Sequence, residues 1–539
     1  MSGSPRQASV ASSSWPGRQG SPSLRCTTRI RRYPDSSLAC CQWPGRRSST
    51  TRTSTTARSA SPPSCVLATT CSALSARNRL IGMLAPTSSA PVRIDAGRAS
   101  EVYHQLLAKF HEQGDDPMTV DFRSLFPEVA STERATHNLH PYPAKMLRHI
   151  PSFSLAVPEL AGPGARVLDP FCGSGTTLVE ALVAGNPAVG LDVNPLATLL
   201  AKVKSTPVSP RRAHAALASV VAMARQLRRP RVPNRDRLRY WFHPRVLTDL
   251  ARLRIAVEDV GDPDVRDLLK ASLSLLARQV SLADPRVSVP VRLRPERYPE
   301  DHRLRAAMSR RLAQLGRLDV LLDFERATRE TIARIGRLEG LRAEPIAVYC
   351  ADARELAAAD APVEPATIDL IVTSPPYLGA QKYIRASSLN LFALDLVDAE
   401  GAGELLGRSV GREFFRRDEY AEAQTTGIHE ADALIEESRC TNPLRAHLAT
   451  TYLREMRSAF AGIATRLKPG GAFVLVAGDN QLCDVPFPTS RFLEALAHER
   501  GLRTELRVVD AIRSRGLMTR RNHSSASPIA HEHVVVFRR

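Results

Sequence analysis

Residues 166–177 read R-V-L-D-P-F-C-G-S-G-T-T, and residues 178–184 continue them as L-V-E-A-L-V-A. The first four form a short apolar strand ending in Asp169, the glycine-bearing stretch is a turn, and the apolar run after it has helical character. Strand, glycine-rich turn and helix in that order place a ligand against backbone and a helix amino terminus. Gly173 and Gly175 let the chain bend sharply and approach that ligand. A second strand follows at 188–191 and closes on Asp192, seventeen residues past Gly175. An acid at that place can take both hydroxyls of a ribose. The stretch therefore predicts an α/β fold with a nucleoside-containing cofactor at the carboxyl edge of a parallel sheet.

A second stretch has the same logic. The apolar run 368–372 precedes Thr373-Ser374-Pro375-Pro376-Tyr377. Two prolines end the strand and stiffen the turn, so that Ser374, the Pro375 carbonyl, Pro376 and Tyr377 project into the crevice where open sheets bind ligands. A hydroxyl and a carbonyl can accept both N–H bonds of an amino group on a flat ring, and the tyrosine can stack on the ring face.

Around these stretches the composition is that of a globular protein: 43% hydrophobic and 24% charged over 539 residues, enough for two or three domains. No run approaches the about 18 apolar residues needed to cross a bilayer, and the amino terminus lacks the apolar core of a signal peptide, so a cytoplasmic protein is expected. The net charge of +19 is unevenly spread. Residues 1–82 hold twelve Arg and one acid, are rich in Ser, Thr and Pro, and carry five of the nine cysteines. Disorder is expected there, and residues 1–90 are set apart as an extension. It reads as a nucleic-acid-binding tail, as a transit peptide, or, the reading preferred here, as sequence upstream of a true start at Met83. The cysteine spacings match no zinc site, and Cys172, Cys350, Cys440 and Cys483 are expected to be reduced thiols.

From Met83 onward, residues 100–112 predict an amphipathic helix and 113–136 a polar connection. His137 to Lys145 form a proline-ordered loop ahead of a helix starting near Ala144. The first part of the sheet domain spans 91–204. Residues 205–340 are helical in periodicity, with one long amphipathic stretch from Leu304 to Leu322, and between Arg225 and Arg317 they hold 22 basic against 11 acidic residues. This insertion is expected to bind phosphates, with Arg228, Arg229 and Arg231 on the backbone and Arg292 and Arg294, in an extended stretch, entering a groove. The sheet resumes over 341–397 with a strand from Ile346 that leads to Asp352. A second insertion, 398–448, is expected to be a mobile loop region, and 449–539 complete the sheet, with a turn at Leu467 to Gly471. The expected fold is a doubly wound, mostly parallel, seven-stranded Rossmann-like sheet with a mainly helical basic insertion.

D-P-F-C-G-S-G-T-T and T-S-P-P-Y together resemble two motifs of the amino-methylating DNA methyltransferases, which use S-adenosylmethionine. The segment His-Pro-Tyr-Pro-Ala-Lys at 140–145 is similar to one that in those enzymes precedes the first motif and holds the methionine end of the cofactor. The resemblance implies that Lys145, Asp169, Phe171, Gly173, Gly175 and Thr176 line the cofactor site, that Asp192 holds the ribose hydroxyls and that Asp352 lies near the adenine. It implies double-stranded DNA as partner, with or without a cognate restriction endonuclease, and an extruded target base stacked on Tyr377. Ser ahead of Pro-Pro-Tyr favours N4 of cytosine, with N6 of adenine as the alternative. The basic insertion falls before the Asp352 strand, which departs from the order in that family. Other readings fit less well. Cytosine C5 methylation needs a Pro-Cys dipeptide that is absent, protein glutamine methylation goes with Asn at position 374, and a silent DNA-binding scaffold would not need both loops intact. Removing residues 1–82 is expected to leave folding and methylation unchanged.

Overall fold

The computed structural model describes residues 91–114, 118–130, 135–143, 145–341, 344–379, 383–512 and 529–539. The expectations for residues 1–90 lie outside the described residues. Strands β1 (Met118–Thr119), β2 (Val167–Asp169), β3 (Ala188–Asp192), β4 (Ile346–Cys350), β5 (Ile368–Thr373), β6 (Leu467–Ala477), β9 (Arg503–Ala511) and β10 (His531–Arg538) form one sheet in the order β1-β9-β10-β6-β5-β2-β3-β4. All neighbours are parallel except β10, which runs antiparallel to both β6 and β9. β7 (Asn480–Leu482) and β8 (Val485–Phe487) make a separate antiparallel ribbon.

Both faces of the sheet are covered, as the unbroken apolar runs of its strands require. On β6, Phe473 and Leu475 point to a layer built from the helices His429–Thr441, Pro443–Arg466 and Thr489–His498. The alternate residues Val474 and Val476 point to the opposite layer, formed by Ala96–Gln113, His149–Ala156 and Thr176–Ala184. Each such side chain contributes about 1.5–3 kcal/mol when fully buried. The strand order changes direction between β2 and β5, since the chain goes outward from β2 to β3 and β4 and then returns to the other side of β2. Ligands of open α/β sheets bind at such a switch point.

The insertion folds as the helices Pro210–Gln226, Pro244–Glu258, Pro263–Val280, Arg303–Leu315 and Val320–Ile335. Most of it shares one apolar core with Leu196, Leu200 and Val203 of the helix Pro195–Ser205 and with Leu389 and Leu391 of the helix Tyr383–Ala393. Polar bonds fasten it further. Lys202 pairs with Asp267 at 2.8 Å, and buried Ser274 meets His140 at 3.1 Å and the Asn390 amide at 2.7 Å through its backbone oxygen.

Several expectations need correction. The sheet has eight strands, not seven, because two-residue β1 sits in the expected polar connection and is too short to show periodicity. The helix expected near Ala144 begins at His149, and Lys145 to Leu147 stay non-helical while the Lys145 ammonium is tied back to the His137 and His140 carbonyls. The stretch from Leu304 to Leu322 is two helices: Gly316 ends the first, and the Asp319 carboxylate caps the next by accepting from Leu322 N at 3.1 Å. Residues 467–471 are part of β6 rather than a turn before it. Residues 398–448 are largely helical, at Ala399–Arg408, His429–Thr441 and the start of Pro443–Arg466. Leu405, Ala431 and Ile435 anchor them, too few apolar residues to give a helical signal in a stretch of high charge.

Candidate active site

A cavity of about 750 Å³ opens at the carboxyl ends of the strands around the switch point, and both motifs line it. At one end lies the loop after β2. Gly173 (φ 49°) and Gly175 (φ 83°) are left-handed, and a side chain at Gly175 would come within 2.9 Å of the Ala201 backbone. Glycine is thus required twice there, once for backbone angle and once for the close approach of two helices. The loop is tied to β3: Cys172 N donates to Leu191 O at 2.9 Å and Gly173 N to Asp192 Oδ2 at 3.0 Å. Asn194 N donates to the other Asp192 oxygen at 2.8 Å. Burial pushes the Asp192 carboxyl up to about 6.

Asp169 joins the two motifs. Its Oδ1 accepts from the Thr373 hydroxyl at 2.6 Å and from Phe171 N at 3.2 Å, and burial raises it too to about 6. Across the cavity, the Ser374 hydroxyl lies 3.4 Å from the Tyr377 phenol oxygen, and the phenol donates to Glu532 Oε1 at 2.9 Å. The Tyr377 ring fits beside Gly478, where an added Cβ would come within 3.2 Å of it.

Of the residues singled out from the sequence, Lys145, Asp169, Phe171, Gly173, Thr176, Asp192, Asp352, Ser374, Pro376 and Tyr377 line this one cavity. Gly175 lies behind the loop, and Pro375 is buried in the turn rather than on the cavity lining. The Asp352 carboxylate is gripped by Arg354 at 2.6 Å, and Arg354 also bonds Glu455 at 2.7 Å, so this acid is an anchor for the cavity wall. Arg228, Arg229, Arg231, Arg292 and Arg294 are all off the lining. Arg292 and Arg294 both hold Tyr240: the Arg292 guanidinium lies 4.7 Å from the ring centroid and Arg294 donates to the phenol at 3.0 Å. From the same extended stretch, Ser288 reaches the cavity.

Several residues escaped the sequence reading. Tyr142 and Tyr383 line the cavity, and Asn194 donates to the Tyr142 phenol at 3.1 Å and to Ser387 at 3.0 Å. Lys204 is fully buried and donates to Ser174 Oγ at 3.0 Å; burial and the neighbouring Lys145 ammonium hold it well below its usual range. Glu532 comes from β10. Their separation in sequence from either motif hides them, and only the Tyr in the loop before Lys145 carried a signal.

Stretches of the chain resemble known proteins. The chain is 29% identical over 161 residues to the type II methyltransferase M.MvaI of Kocuria varians, in a match covering 28% of this chain and 36% of the relative. It is 28% identical over 117 residues to the type II methyltransferase M.MjaII of Methanocaldococcus jannaschii, covering 21% of this chain and 22% of that one. The chain is distantly related to type II methyltransferases. It spans about a third and about a fifth of the lengths of these two relatives. No family model matches it. Among solved structures, an rRNA methyltransferase, aviRa from Streptomyces viridochromogenes, aligns with a TM-score of 0.25 at 13% identity, over 74% of this chain and 87% of that one.

Proposed function

We propose that this protein is a site-specific DNA methyltransferase that moves a methyl group from S-adenosylmethionine to the exocyclic amino group of a base extruded from the duplex, N4 of cytosine. The observation that carries this reading is that one cavity holds the Gly173 loop and Asp192 at one end and the Ser374 turn at the other. The residues present fit the cofactor. Asp192 offers carboxylate oxygens to ribose hydroxyls, Gly173 brings backbone close to the ligand, and Lys145 lies where an amino-acid carboxylate would be welcome. When bound, the cofactor supplies an electrophilic methyl on a sulfonium.

This chain's own residues would do the rest. Ser374 Oγ, on the cavity lining, accepts an N–H bond of the target amine, which favours the pyramidal, positively charged nitrogen that develops as the methyl moves. Holding amine and methyl in line supplies much of the remaining acceleration. Asp169, fixed to Thr373 and Phe171, keeps the two halves of the site in register. The basic insertion, packed against the helices that frame the cavity, is suited to hold the duplex. A relationship to type II methyltransferases is consistent with a cognate restriction endonuclease. The described residues contain no helix long and apolar enough to cross a membrane.

The test is direct. The full chain is expressed in cells lacking DNA methylation, and the modified bases are read with their sequence context. N4-methylcytosine in a defined context is expected; N6-methyladenine would move the assignment to the other base, and unmodified DNA would overturn the reading.

A further inference from the structure

Glu532 extends the turn chemistry, and the inference drawn from it rests on the proposed methyl transfer to a base. It lies near the start of β10, lines the cavity, and takes the Tyr377 phenol hydrogen at 2.9 Å on Oε1. The three groups form a directional chain. Ser374 gives its hydrogen toward the Tyr377 oxygen, Tyr377 gives its own to Glu532, and the Ser374 lone pairs are left free to accept from an amine. The other Glu532 oxygen has no hydrogen-bond partner among the described residues.

Glu532 lines the same cavity as Ser374 and is linked to it through Tyr377, so an amino group held by Ser374 would have the next atom of its base edge within reach of Glu532. In cytosine that atom is N3, a hydrogen-bond acceptor. It needs a donor, and the hydrogens of Ser374 and Tyr377 are already committed. We propose that Glu532 is the specificity residue that meets this ring nitrogen, donating its carboxyl O–H to N3 of the extruded cytosine. The surroundings suit a protonated acid. Asp510 is the cross-strand partner of Glu532 on β9, and the one nearby cation among the described residues, Arg123, is paired with Asp510 at 2.9 Å. Burial raises the Glu532 carboxyl, the Tyr377 hydrogen bond opposes it, the Asp510 charge adds to it, and the net shift is upward.

The experiment measures kcat/KM of the full-length protein against pH on a duplex carrying its site, with S-adenosylmethionine affinity followed by calorimetry. The wild type should lose activity as pH rises and Glu532 gives up its proton. E532Q, whose amide donates at every pH, should keep the rate and lose that limb of the profile. E532A should cost on the order of 10-fold to 100-fold, the usual scale for removing one hydrogen bond to a base, with cofactor affinity unchanged. A duplex whose target is 3-deazacytosine, which lacks the N3 acceptor, should slow the wild type by the same factor and leave E532A no slower. An E532A protein with wild-type rate and profile, or a wild type indifferent to 3-deazacytosine, overturns the assignment. A wild type that methylates neither duplex overturns the underlying reading instead.

Discussion

Asp192 has two backbone N–H partners and a raised carboxyl, and that combination sets how the site should respond to acid. Because its folded value lies above the ordinary aspartate range, ionisation works against the free protein, and this part of its stability is present at low pH and lost as pH rises toward about 6. Ribose hydroxyls donate best to the ionised form. S-adenosylmethionine affinity should therefore be full at neutral pH and weaken as pH falls through about 6, approaching about tenfold per unit. Calorimetry across pH should show this slope in the wild type and its loss in Asp192→Asn. Ser374→Ala should do the opposite, lowering methyl transfer on the order of 10²-fold while cofactor affinity holds, which single-turnover rates beside the same calorimetry would show. These residues were legible because each closes an apolar strand and opens a turn, a pattern confined to a short stretch of chain. Glu532 and Lys204 were not, since they reach the site from 155 and 30 residues away from their partners Tyr377 and Ser174.

At the level of elements, the helix after the Gly173 loop meets the helix Pro195–Ser205 in one close approach, at Gly175. Gly175→Ala would place a Cβ within 2.9 Å of the Ala201 backbone at a φ of 83°, so neither the angle nor the space can absorb it. A destabilisation of about 1–3 kcal/mol is expected, as for other overpacked positions, and thermal unfolding should report it together with weaker cofactor binding. The strands and this helix were readable because burial on both faces forces continuous apolar runs. Elements covered on one side by a neighbour were not. The helices within 398–448 bury only Leu405, Ala431, Ile435 and a few others, so their charged faces dominate the local composition. The break at Gly316 is equally local: the apolar spacing runs on through it, and only the Asp319 cap marks where a second helix starts.

For the whole molecule, the question is how a duplex would present a base to a cavity at the sheet edge. The insertion shares an apolar core with the helices after β3 and after the Ser374 turn, so its surface is held in a fixed relation to the site. Its net charge of +11 between Arg225 and Arg317 gives that surface a long-range attraction for phosphate. Two groups of arginines on it differ in kind. None of the five lines the cavity, but Arg292 and Arg294 are pre-ordered on Tyr240, in the stretch that sends Ser288 to it, while Arg228, Arg229 and Arg231 form the other group. Exposed arginines suit phosphate binding, and a pair held rigid on Tyr240 suits base edges. Replacing Arg228, Arg229 and Arg231 with Ala should weaken binding to any duplex and flatten the dependence of log K on log salt by about 0.9 for each phosphate no longer neutralised. Replacing Arg292 and Arg294 should leave that slope nearer the wild-type value and relax sequence preference by about 1–3 kcal/mol for each base edge no longer read. Filter binding over a salt series, with the methylated sites determined for the same variants, separates the two effects. Wild-type slopes and unchanged sites in both groups would remove the insertion from recognition and direct attention to residues 398–448, which reach the same cavity through Ser409 and Val410.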